Sequence, residues 1–251
     1  MNIAAHHSMM LRAGSPTPPG PAYWGLCFTA EEPNVVVNMT KRGSPPAVTL
    51  ETSTDGLNWT SFDADGSTTP VTLANIGDHV FFRAGSGGNT QISAARLAFR
   101  IFTLTGLCAA SGNILSLLNS ENQIVTLSSQ YCFFNLFNNC TSLTTAPELP
   151  ATTLAASCYA LMFNGCTSLT TANLSAATLD NNCCAQMFGN CTSLRALSVN
   201  FAAWLSGATR SWLFNVAASG TFRCPTALGT DATITRGTSN CPAGWTVINI
   251  D

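Results

Sequence analysis

The feature that most restricts this chain is one block of sequence that occurs three times at a nearly constant interval. It reads Cys132-Phe-Phe-Asn-Leu-Phe-Asn-Asn-Cys-Thr-Ser-Leu143. It returns as Cys158-Tyr-Ala-Leu-Met-Phe-Asn-Gly-Cys-Thr-Ser-Leu169, and again as Cys183-Cys-Ala-Gln-Met-Phe-Gly-Asn-Cys-Thr-Ser-Leu194. Cys140 and Cys166 are 26 residues apart, and Cys166 and Cys191 are 25 apart. The missing residue lies in the second connector, where residues 172–179 replace residues 146–154. A period of this length is the signature of a solenoid. One unit cannot bury its apolar face alone, so neighbours stack into a continuous core. The recurring Cys140, Cys166 and Cys191, Phe137, Phe163 and Phe188, and Leu143, Leu169 and Leu194 are then interior ladders. For that role the three cysteines need only be small and apolar.

Each unit reads as one helix and one short strand. Leu154, Cys158 and Met162 fall at i, i+4 and i+8, on one face of a helix over 151–163. Pro150 precedes it, Thr152 or Thr153 offers a cap, and Asn164-Gly165 stops it. Residues 169–172 with Leu174 fit a short strand. The expectation over 107–199 is therefore a short α/β solenoid of the leucine-rich type. Residues 112–127 read as a degenerate incoming unit. Residues 200–251 read as the outgoing cap, with Phe201, Trp204, Trp212, Phe214, Phe222 and Trp245 to seal an open end.

Residues 23–106 carry short β-branched stretches at 24–29, 34–40, 48–53, 58–62, 71–73, 79–83 and 98–103. Asp55-Gly56 is a hairpin cue. Close spacing and frequent turn residues predict a small antiparallel β-sandwich. Ahead of it, residues 13–22 hold four prolines in ten residues, a stiff extended spacer. Residues 1–22 together read as an attachment arm, with a frayed terminus as the alternative.

Charge is scarce. The 251 residues include 10 Lys+Arg and 12 Asp+Glu, a net charge of −2. That excludes a basic nucleic-acid footprint. No apolar run approaches the roughly 20 residues needed to span a bilayer. Between Thr103 and Asn200 the charged residues are Glu121, Glu148, Asp180 and Arg195. The opening residues lack a basic n-region, an apolar core and a small-residue cleavage site. The expectation is a chain that stays in the cytoplasm or leaves it by another route. Eleven cysteines is an odd count, and no C-x-x-C pair suggests zinc. Cys224 and Cys241 lie outside the repeat and have the option of a bridge, though a cytoplasmically made chain favours free thiols.

The string 162–170 (Met-Phe-Asn-Gly-Cys-Thr-Ser-Leu-Thr), together with 146–154 and Cys158-Tyr159, resembles the BspA-like leucine-rich repeat. That family is typical of surface proteins of gut and oral Bacteroidetes and of viruses infecting them. The likeness covers roughly residues 108–200. Residues 220–225 and 241–248 are similar to the tail that closes such arrays. His6-His7-Ser-Met-Met-Leu-Arg12 is similar to short leaders on phage fibre-like proteins. This array is short, and its third unit is eroded at 182–185. The lack of a secretion signal shifts the implied setting to a virion assembled in the host cytoplasm, with a bacterial cell surface as the alternative.

Catalytic constellations are sparse. His79 beside Asp78 sits in an apparent strand, where a structural role is the usual one. Asp63-Ala-Asp65-Gly66 lacks the later acidic ligand of a calcium loop. Gly85-Ser-Gly-Gly88 lacks the lysine of a phosphate-binding loop. The expectation is a non-enzymatic protein with no cofactor and no metal. Its partners would be a host surface glycan or protein and, through residues 1–22, other virion proteins, with neither nucleic acid nor membrane insertion. A homo-oligomer, with a trimer favoured, would form through the sandwich or the arm. Thr144, Thr145, Thr170, Thr171 and Arg195 follow each strand start and share a face suited to polar ligands. The other reading, that they are merely solvated, stays open.

Overall fold

A computed structural model describes residues 25–66, 70–120, 125–234 and 236–250, with the backbone alone over 231–234. The arm expected over 1–22, Trp24 and Glu121 lie outside the described residues.

The N-terminal strands form where β-branched residues alternate between polar turns. They are β1 (Leu26–Ala30), β2 (Val35–Arg42), β3 (Leu50–Ser53), β4 (Thr60–Phe62), β5 (Val71–Leu73), β6 (His79–Ala84) and β7 (Phe99–Thr105). In β2, Val35, Val37 and Met39 are buried while Val36, Asn38 and Thr40 are half-buried. That is the period of two a strand imposes. The Asp55 turn joins β3 to β4 as an antiparallel hairpin. Asp55 Oδ1 accepts from the Leu57 and Asn58 amides, and these bonds with the Asn58 side chain hold its carboxyl well below the usual range. Strands β4, β3, β6 and β1 make one antiparallel layer, and β5, β2 and β7 make the other.

The first layer does not end at β1. Strand β8 (Cys108–Ser111) pairs antiparallel with β1 on one side and parallel with β9 (Leu143–Thr145) on the other. Strands β10 (Thr171–Leu174), β11 (Ala196–Val199), β12 (Gly220–Cys224) and β13 (Trp245–Asn249) continue in parallel, giving one sheet of ten strands. Among the described residues the one α-helix, α1 (Thr226–Ile234), connects β12 to β13. The boundary expected at 106/107 falls in the turn between β7 and β8, and one hydrophobic core runs through it.

The solenoid is almost all β, with a short 3-10 helix at Ile114–Leu117, and no helix forms over 151–163. In its place are ten-residue runs of consecutive turns at 130–139, 156–165, 181–190 and 206–215. Their hydrogen bonding alternates. The amides of Tyr131, Phe133, Asn135, Phe137 and Asn139 donate to carbonyls of the next coil, at Ala156, Cys158, Ala160, Met162 and Asn164. The amides of Phe134, Leu136, Asn138 and Cys140 donate three residues back within their own coil. Every fourth residue adopts a left-handed backbone: Tyr131, Asn135 and Asn139, then Ser157, Leu161 and Gly165, then Asn182, Gln186 and Asn190. A right-handed helix cannot absorb that pattern. Asn164-Gly165, expected to stop a helix, instead turns the corner of a coil. A Cβ on Gly165 would lie 2.3 Å from Asn139 Oδ1, so any larger residue there would have to push that amide aside.

Spacing explains why turns replace helices. The ring centroids of Phe102 and Phe137 are 5.5 Å apart, of Phe137 and Phe163 5.2 Å, and of Phe163 and Phe188 5.5 Å. Their planes tilt by 11°, 5° and 1°. Helices pack at about 8–10 Å, so they do not fit a side that repeats at the distance of paired strands. Beside the rings runs a ladder of thiols. Cys140 Sγ donates to the Phe102 carbonyl at 3.0 Å, Cys166 to Phe137 at 3.1 Å and Cys191 to Phe163 at 3.0 Å. These cysteines are therefore not only small apolar fillers, as expected, because each fastens its coil to the one before.

Both ends of the array are closed. At the front the sandwich replaces a preceding coil: the Ile92 and Ser93 amides donate to the Cys132 carbonyl, and the Phe102 amide to Leu136. At the back the Leu213 amide donates to Thr238, and Trp212 Nε1 donates to the Asn240 carbonyl. Phe201, Trp212, Phe222 and Trp245 are buried in this cap. Phe214, expected there too, is 49% exposed and seals nothing. Cys224 and Cys241 are buried and unbridged.

One ion sits inside the sandwich end. Arg100 is buried and donates to the carbonyls of Ala64, Pro46 and Ile92 and to Asp65 Oδ1 at 2.6 Å. Lys41, then Arg100, hold the Asp65 carboxyl below its ordinary range. A depressed carboxyl stabilises the fold above its unfolded pKa and ceases to do so as pH falls through the folded value. Acid unfolding should therefore include an Asp65 contribution below the ordinary Asp range. Asp65→Asn should remove that contribution and cost about 1 kcal/mol at neutral pH, since Asp65 is partly exposed. Arg100→Leu should cost more, roughly 3 kcal/mol, because it strands three carbonyls. Urea melts across pH measure both.

The turn runs make a second expectation. Gln186 is exposed and left-handed. Gln186→Gly should leave stability unchanged or raise it by up to about 1 kcal/mol, whereas Gln186→Val should lower it by about 1–2 kcal/mol. A loss of about 1 kcal/mol for glycine is what a helix would give, and thermal melts distinguish the two.

Candidate functional site

Two surfaces flank the core. The first is the outer face of the long sheet. Alternation in β10 turns Ala172 and Leu174 inward and leaves Thr171 and Asn173 exposed. Parallel pairing in register then lines up Thr145, Thr171, Ala196, Thr221 and Thr246. Strand β8 brings Ala109 beside Thr145, and β1 brings Thr29 beside Ala109. The five residues expected to share a face fall on two adjacent rows, Thr144–Thr170–Arg195 and Thr145–Thr171. Three of the hydroxyls are already engaged between strands. Thr144 Oγ1 donates to the Cys108 carbonyl at 3.3 Å, Thr145 Oγ1 to Ala110 at 2.9 Å and Thr170 Oγ1 to Thr144 at 3.4 Å. Thr171 and Arg195 are exposed. A hollow of about 280 Å³ opens beside Thr171, Asn173 and Ser175, against the Pro147–Glu148 connector. Thr221, Thr246 and Thr29 belong to this face as well. The repeat does not reveal them, because β12 and β13 lie beyond the repeated block and β1 joins through long-range pairing.

The second surface lies on the turn stack. Residues 134, 160, 185 and 210 occupy equivalent positions in four successive coils, so Phe134, Ala160, Ala185 and Arg210 form one row. The small Ala160 and Ala185 leave a trough of about 240 Å³ between the ring and the guanidinium. Tyr131, Ser157 and Asn182 form one wall, and Leu161 and Gln186 form the other. Arg96, from the loop before β7, closes the first end. None of the residues lining the trough is acidic. Among the described residues the three ion pairs are Lys41–Asp65, Arg83–Glu51 and Arg100–Asp65, so Arg96 and Arg210 face the trough without a counter-ion. The signal for this site was in the sequence: the three aligned blocks show the Phe134, Ala160, Ala185 column.

The groups considered for catalysis are occupied otherwise. Asp78 Oδ2 accepts from the amide and side chain of Asn75, and the His79 ring packs edge-on against Phe81. Asp63 Oδ1 accepts the Asp65 amide. In the 85–88 loop, the Gly85 and Gly88 amides donate to Thr49 and Gly85, so they do not converge on a phosphate. Burial pushes the Cys132 and Cys191 thiols up to about 12 and raises Cys140, Cys166 and Cys158 as well. They stay protonated donors, not nucleophiles. Among the described residues, no group of three or more His, Cys, Asp or Glu is placed to hold a metal ion.

No protein-family model, curated protein or solved structure matches this chain.

Proposed function

We propose that this chain is a non-enzymatic adhesion or receptor-binding protein of a phage virion. Residues 1–22 anchor it, and the solenoid touches the host surface. The observation that carries this reading is the pair of long, regular faces on a single continuous core. One presents hydroxyl side chains in register across parallel strands, and the other presents an open trough with two arginines that have no ion-pair partner among the described residues. Solenoids bind through such extended faces. The resemblance of residues 108–200 to BspA-like repeats favours a surface role, carried here by a coil that is almost all β. The protein works as a homo-oligomer, a trimer joined through the sandwich or the arm.

Labelled protein should bind host cells and a subset of an arrayed glycan panel. A chain lacking residues 1–22 should bind equally well yet fail to enter particles. Absence of binding to any host surface would overturn the adhesion reading, and particles that incorporate the truncated chain would overturn the anchor.

A further inference from the structure

We infer that the trough on the turn stack binds a short stretch of acidic polysaccharide, with carboxylates meeting Arg96 at one end and Arg210 at the other. This rests on the adhesion reading above and names the ligand class for one of its two faces. Charge is the first reason. Two guanidiniums line the trough, neither has an ion-pair partner among the described residues, and the lining holds no carboxylate. Planar guanidinium forks match carboxylates in a bidentate way. The chain as a whole is slightly acidic, so this is a local cationic feature.

Dimensions are the second reason. Phe134 and Arg210 are three coils apart. At about 4.8 Å per paired strand the row is roughly 14 Å long. That suits a few linked sugars carrying acid groups at intervals better than a single anion. The trough is open rather than closed over, so a chain can enter from the side and extend past either end.

The third reason is what the backbone withholds. Along the trough the amides of Tyr131, Phe134, Ser157, Ala160, Leu161, Ala185 and Gln186 are consumed, some by the neighbouring coil and some by the turn itself. An extended peptide would need a continuous row of free main-chain groups to add as a strand, and these engaged amides interrupt any such row. Recognition has to run through side chains. Ser157, Asn182 and Gln186 supply hydroxyl and amide groups on the walls, with the donor and acceptor mixture that sugar hydroxyls need. Tyr131 and Phe134, packed edge to face at 5.5 Å, give the first end a rigid apolar shoulder.

The test uses the full chain and three probes by calorimetry: trigalacturonate, the neutral galactose trisaccharide and a triglutamate peptide. Wild type should take trigalacturonate, and binding should weaken as salt is raised. Arg96→Ala and Arg210→Ala should each weaken it by about tenfold or more. Both side chains are exposed, so unchanged melting temperatures would show the fold intact. Ala185→Leu, which fills the trough without touching charge, should abolish binding. Neutral trisaccharide or triglutamate binding as tightly as trigalacturonate would overturn the inference, as would no wild-type heat at about 10 mM ligand. Host-cell adhesion separates the two readings. If the double arginine variant takes trigalacturonate as wild type does while still adhering to host cells, the trough assignment falls and adhesion stands. If wild type takes trigalacturonate but adheres to no host surface, the adhesion reading alone falls.

Discussion

The coil spacing of just over 5 Å, set by stacked phenylalanine rings and by thiols donating to the preceding coil, governs the rest of the molecule. Parallel strands pair at about 4.8 Å, and the stacked rings hold the opposite side to nearly the same distance. A helix is too wide for that side. A chain of consecutive turns is not, provided every fourth residue accepts a left-handed backbone. Asparagine and glycine fill the coil corner at Asn139, Gly165 and Asn190 for this reason. Elsewhere the stack imposes the same conformation on Tyr131, Leu161 and Gln186, which on their own would avoid it. The hydrogen bonds between coils offset that local cost.

The sandwich acts as the first coil of the array as much as a domain beside it. Strand β8, paired antiparallel with the sandwich's β1, starts the parallel sheet, and Phe102 of the sandwich stacks on Phe137. A solenoid presents unpaired edges and an open core at each end. Here the front is covered by antiparallel strands and the back by a tryptophan-rich cap with α1. Between them the core has no internal break, because the same cluster contains Phe28 of the sandwich, Phe163 of the repeat and Trp212 of the cap.

Much of this was legible in the sequence, and the limits have physical causes. The strands of the sandwich follow from alternation and turn residues. The repeat ladders follow from the aligned Cys, Phe and Leu positions. The helix over 151–163 was the wrong inference from a real pattern. Leu154, Cys158 and Met162 recur every four residues, which suits one helical face, but a run of four-residue turns has that period too. Propensity could not separate the two, since Leu161 and Gln186 are good helix formers forced left-handed by stacking. The thiol hydrogen bonds were equally hidden, because their acceptors belong to another coil. Of the binding faces, the threonine rows were partly visible through Thr144, Thr145, Thr170 and Thr171. The trough was visible only as a column of Phe134, Ala160 and Ala185 whose common face depends on knowing the coil geometry.

If stacking between coils holds the array together, neighbouring rungs must be energetically coupled, and rungs two coils apart must not be. A double-mutant cycle reads this directly. Phe137→Leu and Phe163→Leu are measured singly and together by urea denaturation, with Phe137→Leu and Phe188→Leu as the non-adjacent pair. The expected result is a coupling of roughly 0.5–1.5 kcal/mol for the adjacent pair and none beyond error for the distant one. Strict additivity for Phe137 and Phe163 would contradict it.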